Sequence, residues 1–444
     1  MPVQPRTPQG VIELLPPQQI AFQRMLDTIR RGFERFGFLP VETPVFELSE
    51  VLLTKSGGET EKQVYFAQST GALKEGKAPE LALRFDLTVP LARYVAQHEN
   101  QLNFPFRRYQ IQRVYRGERA QKGRYREFYQ CDIDVIGKDT LSISYDAECP
   151  AVIYGIFAEL NFGKFTIKIN NRKLLRGVLT AYGVPLEKHA DVLHEIDRLG
   201  KMSIDEVKAR VKTVIEANTD ALVDTLTNFS FDTLPAQFPD NADIAEGEKE
   251  LRAVYDQALA LGVPATHIAV DATIARGLDY YTGTVYETFL DENTALGSIC
   301  SGGRYDNLAG HYTKSKLPGV GISIGVTRLL SFLVDDPAWG ASASTAQVIV
   351  LAVDANLRSE YLRIGTELRA AGINTEVYGS DDKLGKQFKY ADRAKVPLAI
   401  IMGGNEHKTG TVKIKDLRVA MDAAQKELEL PRAGLVAKVK ELLA

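Results

Sequence analysis

Residues 106–136 read FRRYQIQRVYRGERAQKGRYREFYQCDIDVI, and this stretch decides the fold of the first part of the chain. Both of its ends alternate or are rich in aromatic and β-branched residues, as β-strands are. The middle is instead glycine-containing and highly charged, as connecting loops are. Because ELALRF at 80–85 has a similar strand pattern, we predict an antiparallel sheet between about Leu81 and Ile136.

The centre of this stretch is strongly basic, although the whole chain is slightly acidic. Lys+Arg number 54 and Asp+Glu 57, which gives a net charge of −3. Between Arg107 and Arg126 there is one acid, Glu118, among the following basic residues: Arg107, Arg108, Arg113, Arg116, Arg119, Lys122, Arg124 and Arg126. A solvated basic loop would explain a charge run taken alone. The flanking strands favour the other interpretation, a site for a polyanion.

The second strand adds different chemistry beside the arginines. Phe128, Gln130 and Asp134 are separated by even numbers of residues, so they point to one face of a strand. Guanidinium groups bind phosphate, an aromatic ring stacks on a base, and amide and carboxylate oxygens accept from an ammonium group. This set of groups indicates a nucleotide bound beside an amine.

Other segments outline an α+β domain. Apolar spacing predicts a helix over Gln18–Phe36, ended by Gly37, and an edge strand with Pro40 and Pro44 follows. Strand character returns at 267–290, and a helix is expected near Val326–Val334. We therefore assign 1–171 and 266–334 to one core with a mainly antiparallel sheet.

Two further regions differ from that core. Residues 172–265 have helical spacing, with a capping box from Ser203 to Glu206, and are predicted to form a helical insertion. Residues 335–345 are rich in Pro, Gly, Ser and Ala and predict a linker. Beyond it, 346–444 alternate between strand and helix patterns, which predicts a separate small α/β domain.

Composition excludes several classes of protein. With 444 residues, 45% hydrophobic and 25% charged, the chain is expected to be globular and multidomain rather than disordered or fibrous. It contains neither an apolar stretch long enough to span a membrane nor a signal-peptide pattern, so we expect a cytoplasmic protein without a membrane partner.

Metal and nucleophile motifs are weak. Cys131, Cys149 and Cys300 lack zinc-site spacing, and His189 and His194 are interpreted as surface residues, so no metal site is assigned. The pattern Gly321-Ile-Ser323-Ile-Gly325 fits a nucleophile elbow, but its apolar neighbours favour a tightly packed strand.

Several motifs together resemble one enzyme family. RVYRGERAQKGRYREFYQCDID at 113–134 resembles the second signature motif of class II aminoacyl-tRNA synthetases. VETPVFE at 41–47 is similar to the dimer-interface motif of that class, and GVGISIGVTRLL at 319–330 to its third motif. ARGLDYYTGTVYE at 275–287 and SGGRYDNL at 301–308 resemble the two signatures particular to the histidyl-tRNA synthetase family, and KLGKQFKYADR at 383–393 resembles its anticodon-binding module.

The resemblance implies an ATP site. Arg116 and Arg328 match arginines that hold the phosphates, Glu118 matches the adenine contact, Phe128 matches the stacking ring, and Arg126 joins this set. Magnesium would accompany ATP. Ala120 stands where many relatives have proline, so the loop departs from the common pattern.

The resemblance also implies a histidine site. Residues matching those that receive the amino group are Asp86, Thr88 and Gln130, and those matching the contacts of the imidazole nitrogens are Asp134 and Tyr281. The expected histidine site is completed by Arg116, Arg276 and Tyr280. A site that hydrogen-bonds its substrate rejects analogues that lack those groups by about 10⁴–10⁵, so an editing domain would be superfluous.

The implied reaction joins histidine to tRNA(His) in two steps. Arg276 and Arg116 are expected to act in catalysis, with Arg276 stabilising the α-phosphate during formation of histidyl-adenylate. Arg119 and Gln121 match residues that contact the acceptor end of the tRNA, and a homodimer is expected. The alternative is an inactive paralogue that binds histidine as a regulatory effector. Such paralogues lack the anticodon module and lose catalytic arginines, whereas this chain keeps Arg116, Arg276 and Arg328.

Overall fold

A computed structural model describes residues 3–53, 63–121, 123–199, 202–231, 233–275, 280–333, 344–418 and 427–444. Contacts between Cα atoms divide the chain into two compact units. The larger unit comprises Met1–Ile12 and Met25–Leu333, and the smaller comprises Glu13–Arg24 and Val334–Ala444.

The described residues of the larger unit form two sheets. In chain order their strands are β1 (Leu39–Pro40), β2 (Phe46–Leu48), β3 (Tyr65–Ala67), β4 (Leu81–Leu83), β5 (Phe106–Tyr115), β6 (Glu127–Ile136), β7 (Phe165–Asn171), β8 (Ile268–Val270), β9 (Thr284–Leu290), β10 (Cys300–Tyr305) and β11 (Gly319–Ile324).

The main sheet has the order β1-β5-β6-β11-β10-β9-β7-β8 within the described residues. Its neighbouring strands from β5 to β7 pair antiparallel, whereas β1 joins β5 and β8 joins β7 in parallel at the two edges. The predicted, mainly antiparallel sheet is therefore confirmed, and Leu39–Pro40 lies at its edge as the proline pattern indicated. A smaller sheet has the order β2-β4-β3.

Helices of the larger unit surround these sheets or fill the predicted insertion. They are α1 (Pro16–Arg35), whose first part lies in the smaller unit, α2 (Ser49–Leu53), α3 (Thr70–Lys74), α4 (Thr88–His98), α5 (Ser144–Leu160), α6 (Arg172–Ala181), α7 (His189–Ile196), α8 (Ile204–Val211), α9 (Thr219–Thr227), α10 (Leu234–Gln237), α11 (Ala242–Ala260) and α12 (Val326–Leu333).

Packing against the sheet buries the apolar faces of these helices. Phe33 of α1 and Phe157 of α5 are fully buried, and a Cβ on Gly32 would lie 2.3 Å from Ile156, so α1 and α5 pack closely. On α4, Leu91 and Val95 pack with Phe106 of β5 and other buried residues. These contacts fix the start of α4 beside β5, where the candidate site lies.

The region predicted as an insertion is helical from α6 to α11. The capping box at Ser203 is confirmed, since its hydroxyl accepts from Glu206 N and the Glu206 carboxylate accepts from Ser203 N. The helix that follows is shorter than the apolar run, because α8 ends at Val211 before Val214 and Ile215. The surface interpretation of His189 was wrong: its ring is buried, and Nε2 lies 3.0 Å from the carbonyl oxygen of Val184.

Alternating strands and helices form most of the smaller unit. They are β12 (Val348–Val350), α13 (Arg358–Ala370), β13 (Thr375–Val377), α14 (Leu384–Arg393), β14 (Leu398–Ile401), α15 (Gly404–Thr409), β15 (Thr411–Asp416), β16 (Glu427–Pro431) and α16 (Leu435–Leu443). Within the described residues its sheet has the order β13-β12-β14-β15-β16, with parallel pairs on either side of β12. The predicted α/β pattern is confirmed. Among the described helices, each is too short or too polar to cross a membrane.

Candidate active site

A buried ion pair lies at the centre of the main sheet. Arg108 on β5 and Asp134 on β6 are directly opposite in the antiparallel register, and Arg108 Nη2 lies 2.6 Å from Asp134 Oδ2. Both side chains are almost wholly buried. A charge buried in this way is costly without a partner, so each residue depends on the other.

Asp134 is held from two further strands. Tyr305 on β10 donates from its hydroxyl to Asp134 Oδ1 at 2.8 Å. On β11, Gly321 lies opposite Asp134, and a Cβ there would come within 2.3 Å of Oδ1. Burial raises the pKa of Asp134, while Arg108 and the Tyr305 hydrogen bond oppose that rise. The carboxylate therefore has a fixed orientation.

Asp86 adds a second buried carboxylate at the start of α4. Its Oδ1 accepts from Val89 N at 3.1 Å, and within the described residues its buried Oδ2 has no hydrogen-bond partner. Burial raises the pKa of Asp86 to about 6, against the lowering effect of the Val89 hydrogen bond and of Arg116 and Arg108. An unfilled, partly charged acceptor of this kind suits a cationic ligand.

Gln130 presents another unfilled acceptor. Its Nε2 donates to Ser323 Oγ at 2.7 Å, which leaves Oε1 buried and without a partner among the described residues. This orientation of the amide directs an oxygen away from Ser323. Asp86 and Gln130, both assigned by resemblance to a substrate amino group, thus each offer the acceptor that an ammonium group requires.

Asp132 was not among the sequence-predicted site residues, yet it lies between Gln130 and Asp134 on the same face of β6. It is 2% exposed, and burial raises its pKa to about 7 despite the lowering effects of Arg108 and a hydrogen bond from Ser323. Asp134 and Asp86 act in the same direction as burial. The even spacing of Asp132 with Gln130 was the signal that could have identified it.

Two tyrosines lie next to these acids. The rings of Tyr280 and Tyr281 have centroids 4.9 Å apart, and Tyr280 lies edge-on to Tyr305 at 5.9 Å. Burial, followed by the nearby Asp134 and Asp132 carboxylates, raises the pKa of Tyr281. A Cβ on Gly303 would lie 2.8 Å from the Tyr281 ring, which explains a glycine in the GGRY motif.

We call this set the carboxylate pocket. It consists of Asp86, Thr88, Gln130, Asp132, Asp134, Tyr280 and Tyr281. Thr88 is the first residue of α4 and interacts with Tyr280. The pocket groups the residues that the sequence assigned to histidine, except for Arg116, which lies at its border, and Arg276. Arg276 lies outside the described residues.

An open cleft of about 410 Å³ is formed where the β5–β6 loop meets α12. We call it the arginine cleft. Its lining residues are Arg116, Glu118, Gly123, Arg124, Tyr125, Phe128, Gly325, Thr327 and Arg328. Gly123 has a φ of +77°, a backbone conformation that favours glycine, and this lets the loop fold over the cleft.

Arg116 connects the cleft to the pocket. Its Nε donates to the carbonyl oxygen of Phe85 at 2.9 Å, next to Asp86, and its guanidinium carbon lies 5.2 Å from the centroid of the Phe128 ring. The guanidinium group of Arg116 therefore lies over one face of the Phe128 ring, and both residues line the same cleft. A ring and a guanidinium in this arrangement can hold a planar base and a phosphate side by side.

Arg328 is the second anchored guanidinium. Its Nε donates to Gly123 O at 3.2 Å and its Nη1 to Ser298 O at 2.5 Å. Burial lowers the pKa of Arg328, and the positive charges of Arg124 and Arg116 lower it further. Arginines held close enough to repel each other form a ready site for an anion such as a phosphate chain.

The remaining loop residues have different environments. Arg126 donates from Nε to Glu118 O at 3.2 Å and packs on Gly10, so it supports the loop. Glu118 lies 3.6 Å from Arg124. Arg119 and Gln121, assigned by resemblance to the tRNA acceptor end, are both exposed. The basic run is thus divided, since Arg107 pairs instead with Glu148 at 2.6 Å and Arg113 with Glu127 at 3.3 Å.

The described residues form no cluster of three or more His, Cys, Asp or Glu side chains that could hold a metal ion. Magnesium bound together with nucleotide phosphates needs only one or two protein carboxylates. Glu118 is a carboxylate that lines the arginine cleft.

This fold and site define a class II aminoacyl-tRNA synthetase: a mainly antiparallel sheet that carries an arginine cleft beside a buried group of carboxylates. A histidyl-tRNA synthetase family model matches residues 10–329, and an anticodon-binding domain model matches residues 347–442. The chain belongs to the histidyl-tRNA synthetase family.

Individual relatives agree over nearly the whole chain. The chain is 54% identical to a histidine–tRNA ligase of Xanthomonas axonopodis pv. citri, with 98% of each protein covered. It is 52% identical to a histidine–tRNA ligase of Stenotrophomonas maltophilia, covering 99% of this chain and 98% of that protein. The crystal structure of histidyl-tRNA synthetase from Nostoc sp. PCC 7120 matches with a TM-score of 0.89 at 38% identity, over 99% of this chain and 100% of that one.

Proposed function

We propose that this chain is a histidine–tRNA ligase, which activates histidine with ATP and transfers the histidyl group to the 3′ end of tRNA(His). The single observation that carries the proposal is the placement of two chemically different sites on one pair of strands. Arg116 and Phe128 of the arginine cleft lie at one end of the β5–β6 pair, and Asp134 of the carboxylate pocket lies further along it. A phosphate and an amino acid bound in this way are neighbours.

In the first step the histidine carboxylate attacks the α-phosphorus of ATP. A phosphorus–oxygen bond forms to histidine, the bond to diphosphate breaks, and histidyl-adenylate remains. The carboxylate is already ionised at neutral pH and needs no general base, so the protein must position it and stabilise the developing negative charge. Arg116 and Arg328 have positions suited to that task, and Arg276 is assigned to it by resemblance.

In the second step a terminal ribose hydroxyl of the tRNA attacks the histidyl carbonyl carbon, and AMP leaves. Membership of class II implies the 3′-hydroxyl. Exposed Arg119 and Gln121, on the loop beside the cleft, are proposed to contact the acceptor end of the tRNA. The smaller unit, with residues 346–444 as its proposed extent, would contact the anticodon.

Magnesium is proposed as part of the ATP complex. Bound to the phosphates, it would neutralise charge that develops on the leaving diphosphate. Glu118 could contact it, or could contact the adenine as the resemblance implies, and both roles are compatible with a carboxylate at the cleft wall.

A homodimer is also proposed. Phe46, Leu48 and Leu81 share one face of the small β2-β4-β3 sheet and each expose about half of their surface, and Leu48 and Leu81 are directly opposite in the register. A contiguous exposed apolar group of this size is typical of a surface that another protein covers. It includes the motif similar to the dimer interface of the class.

The test is ATP–diphosphate exchange measured with each of the twenty amino acids, followed by charging of tRNA(His). Histidine alone should support exchange, because Asp134 and Tyr281 provide two polar partners for the imidazole ring. An inactive regulatory paralogue would bind histidine in calorimetry yet support no exchange. Since ribosomal protein synthesis consumes the product, a cytoplasmic location is part of the same proposal.

The domain assignment has its own test. A chain without residues 346–444 should keep histidine-dependent exchange and lose most tRNA charging, if those residues read the anticodon. Sedimentation of the truncated chain must accompany the kinetics, because a loss of dimerisation would lower exchange for another reason. A dimeric truncated chain that charges tRNA at the full-length rate would contradict the assignment.

A further inference from the structure

A row of polar side chains runs along the main sheet into the carboxylate pocket. In order, its members are Arg84, Gln112, Gln110, Asp132, Ser323 and Gln130. Gln110 lies opposite Asp132 in the β5–β6 register, and Ser323 lies opposite Asp132 in the β6–β11 register. The chemistry of each neighbour fixes which atoms of the next group can face it.

Arg84 determines the orientation of the first part of the row. Its Nη1 lies 2.8 Å from Gln112 Oε1, and arginine can only donate, so the Gln112 atom there must be the carbonyl oxygen. Gln110 then approaches the same oxygen at 2.5 Å and must do so with its NH₂ group. Its NH₂ group also donates to Thr43 Oγ1 at 3.0 Å. The amide oxygen of Gln110 is therefore left to point elsewhere.

That oxygen and one oxygen of Asp132 both need a hydrogen-bond donor. Gln110 Oε1 and Asp132 Oδ1 are both buried, and neither has a hydrogen-bond partner among the described residues. Side chains directly opposite in an antiparallel pair have Cβ atoms about 4.5–5.5 Å apart, which puts these two groups within reach of each other. Two buried acceptors repel unless a proton lies between them.

We propose that Asp132 is held as a neutral carboxylic acid, whose proton is donated to Gln110 Oε1, and that in this form it is a positioning residue for histidine. One proton satisfies both otherwise unpaired oxygens. The proposal rests on the function proposed above, and it concerns a residue that touches the substrate only through its neighbours.

The far side of Asp132 explains how it acts on the substrate. Ser323 donates to Asp132 and at the same time accepts from Gln130 Nε2 at 2.7 Å. This arrangement keeps the NH₂ group of Gln130 on Ser323 and its Oε1 free for the substrate ammonium group. Loss of the Asp132 proton would leave two buried acceptors, Asp132 Oδ1 and Gln110 Oε1, facing each other. The carboxylate would then turn away from Gln110, and the Ser323 hydroxyl and the Gln130 amide would turn with it.

The charges around Asp132 agree with a neutral acid. Arg108 faces it from β5 and Arg84 from the segment before α4, and both favour ionisation. Asp134, Asp86, Tyr281 and the Cys131 and Cys300 thiols are the other titratable groups that interact with it. Arg108 is already paired with Asp134, and Arg84 Nη1 donates to Thr43 O and Gln112 Oε1 and not to Asp132, so within the described residues an ionised Asp132 would have no ion-pair partner of its own.

The proton can be observed directly in the free protein. Infrared difference spectra of wild type minus Asp132→Asn should contain the carbonyl stretch of a protonated carboxylic acid at pH 6, and that band should disappear on titration through about pH 7. A spectrum without the band between pH 5.5 and 6.5 would overturn the proposal. This measurement requires no catalytic activity.

The kinetic consequence is a pH profile. Histidine-dependent exchange in the wild type should rise as free imidazole loses its proton near pH 6.5. The kcat/KM for histidine should then fall above about pH 7, approaching about tenfold per pH unit, as the free enzyme loses the Asp132 proton. Asn at this position donates to Gln110 and accepts from Ser323, so Asp132→Asn should keep the rise and remove the fall up to pH 8.5.

Two more variants separate this role from a merely structural one. Asp132→Ala should lower kcat/KM for histidine about tenfold or more at every pH while the KM for ATP stays unchanged, because only the amide of Gln130 is released. Asp291→Asn, at an exposed carboxylate bonded to Thr166, is the matched control and should keep the wild-type profile. If Asp132→Asn keeps the fall above pH 7, Asp132 is not its source and the proposal fails. Absence of histidine exchange at all pH values would instead reject the ligase function, with the infrared result unaffected.

Discussion

The arginine cleft and the carboxylate pocket lie side by side, yet they are built in opposite ways. The cleft is formed by a loop and a helix start, is open, and gathers positive guanidinium groups whose anchors are carbonyl oxygens. The pocket is formed by residues of β6, of the start of α4 and of the segment just before β9. It is buried and gathers carboxylates whose pKa values are raised by that burial. The cleft therefore attracts an anion, and the pocket attracts a cation.

This difference matches the two substrates. The phosphates of ATP are negatively charged and bind wherever guanidinium groups are available, so an open loop is sufficient to bind them. Histidine must be distinguished from other amino acids, and that requires polar groups whose hydrogen bonds cannot be replaced by water. Side chains held on strands and helices, such as those of β6 and α4, are fixed more precisely than side chains on loops.

The largest expected effect comes from breaking the pocket at Asp134. Asp134→Ala leaves Arg108 as an unpaired buried charge, which should lower the free energy of unfolding by about 3–5 kcal/mol. Histidine binding should weaken strongly while ATP affinity stays nearly unchanged, because the cleft has its own anchors. Denaturant unfolding and calorimetry with each substrate measure these quantities. An equal loss of ATP affinity would mean that the residue is structural for both sites.

Breaking the cleft alone is the next largest effect. Arg116→Ala should lower the rate of adenylate formation by about 10²–10³, the cost of one preorganised electrostatic group. The matched control is Arg113→Ala, three residues earlier on β5, since Arg113 pairs with Glu127 outside the cleft and is half exposed. Pre-steady-state exchange kinetics should show a change for Arg116 and nearly none for Arg113. A similar loss in both variants would indicate that general charge, and not position, is responsible.

The raised pKa of Asp86 in the pocket should make the stability of the protein depend on pH. The pKa of Asp86 is raised to about 6 from 3.8, so its stabilising contribution is complete below about pH 4 and is lost as pH rises through 6. Relative to the wild type, Asp86→Asn should therefore become more stable by up to about 3 kcal/mol between pH 4 and 7. Unfolding at several pH values measures this difference, and Asp291→Asn, which changes an exposed acid, should show almost none. A pH-independent difference for Asp86→Asn would contradict the raised pKa.

Much of this architecture could be predicted from the sequence. The alternation in 106–136 predicted β5 and β6, and the even spacing of Phe128, Gln130 and Asp134 predicted a shared face. Tertiary pairing could not be predicted in the same way. Arg108 belonged to a basic run in the sequence, and only the register with β6 identifies it as the partner of Asp134.

Other parts of the site depend on contacts between distant strands. Tyr305 reaches Asp134 from β10, and Ser323 reaches Gln130 from β11, across separations that no local pattern records. His189 shows the same limit in the insertion, where packing buries a residue that sequence alone placed on the surface. Arg276 and its neighbours to Asp279 lie outside the described residues, so the role of Arg276 stays a prediction.

The smallest expected effect comes from two glycine-to-alanine changes, which test how tightly each site is packed. Gly321 is on β11, and Gly325 directly follows the end of that strand. Gly321 lies where β11 crosses Asp134, and a Cβ would meet Asp134 Oδ1 and Ile133 O at 2.3 Å each. Gly325 lies at the cleft, where a Cβ would meet its nearest atom, Ile299 O, at 3.5 Å, an ordinary contact. Gly321→Ala must move a backbone carbonyl or turn the carboxylate, so it should cost about 1–3 kcal/mol of unfolding free energy.

The two glycine variants should also differ in their kinetics. Gly321→Ala should raise the KM for histidine and leave the KM for ATP unchanged, because the displaced carboxylate belongs to the pocket. Gly325→Ala should change unfolding and both KM values little. Denaturant unfolding and substrate-dependent exchange on the two variants provide the comparison. If Gly325→Ala proved as damaging as Gly321→Ala, the cleft would be as closely packed as the pocket, and the contrast between an open loop site and a rigid strand site would not hold.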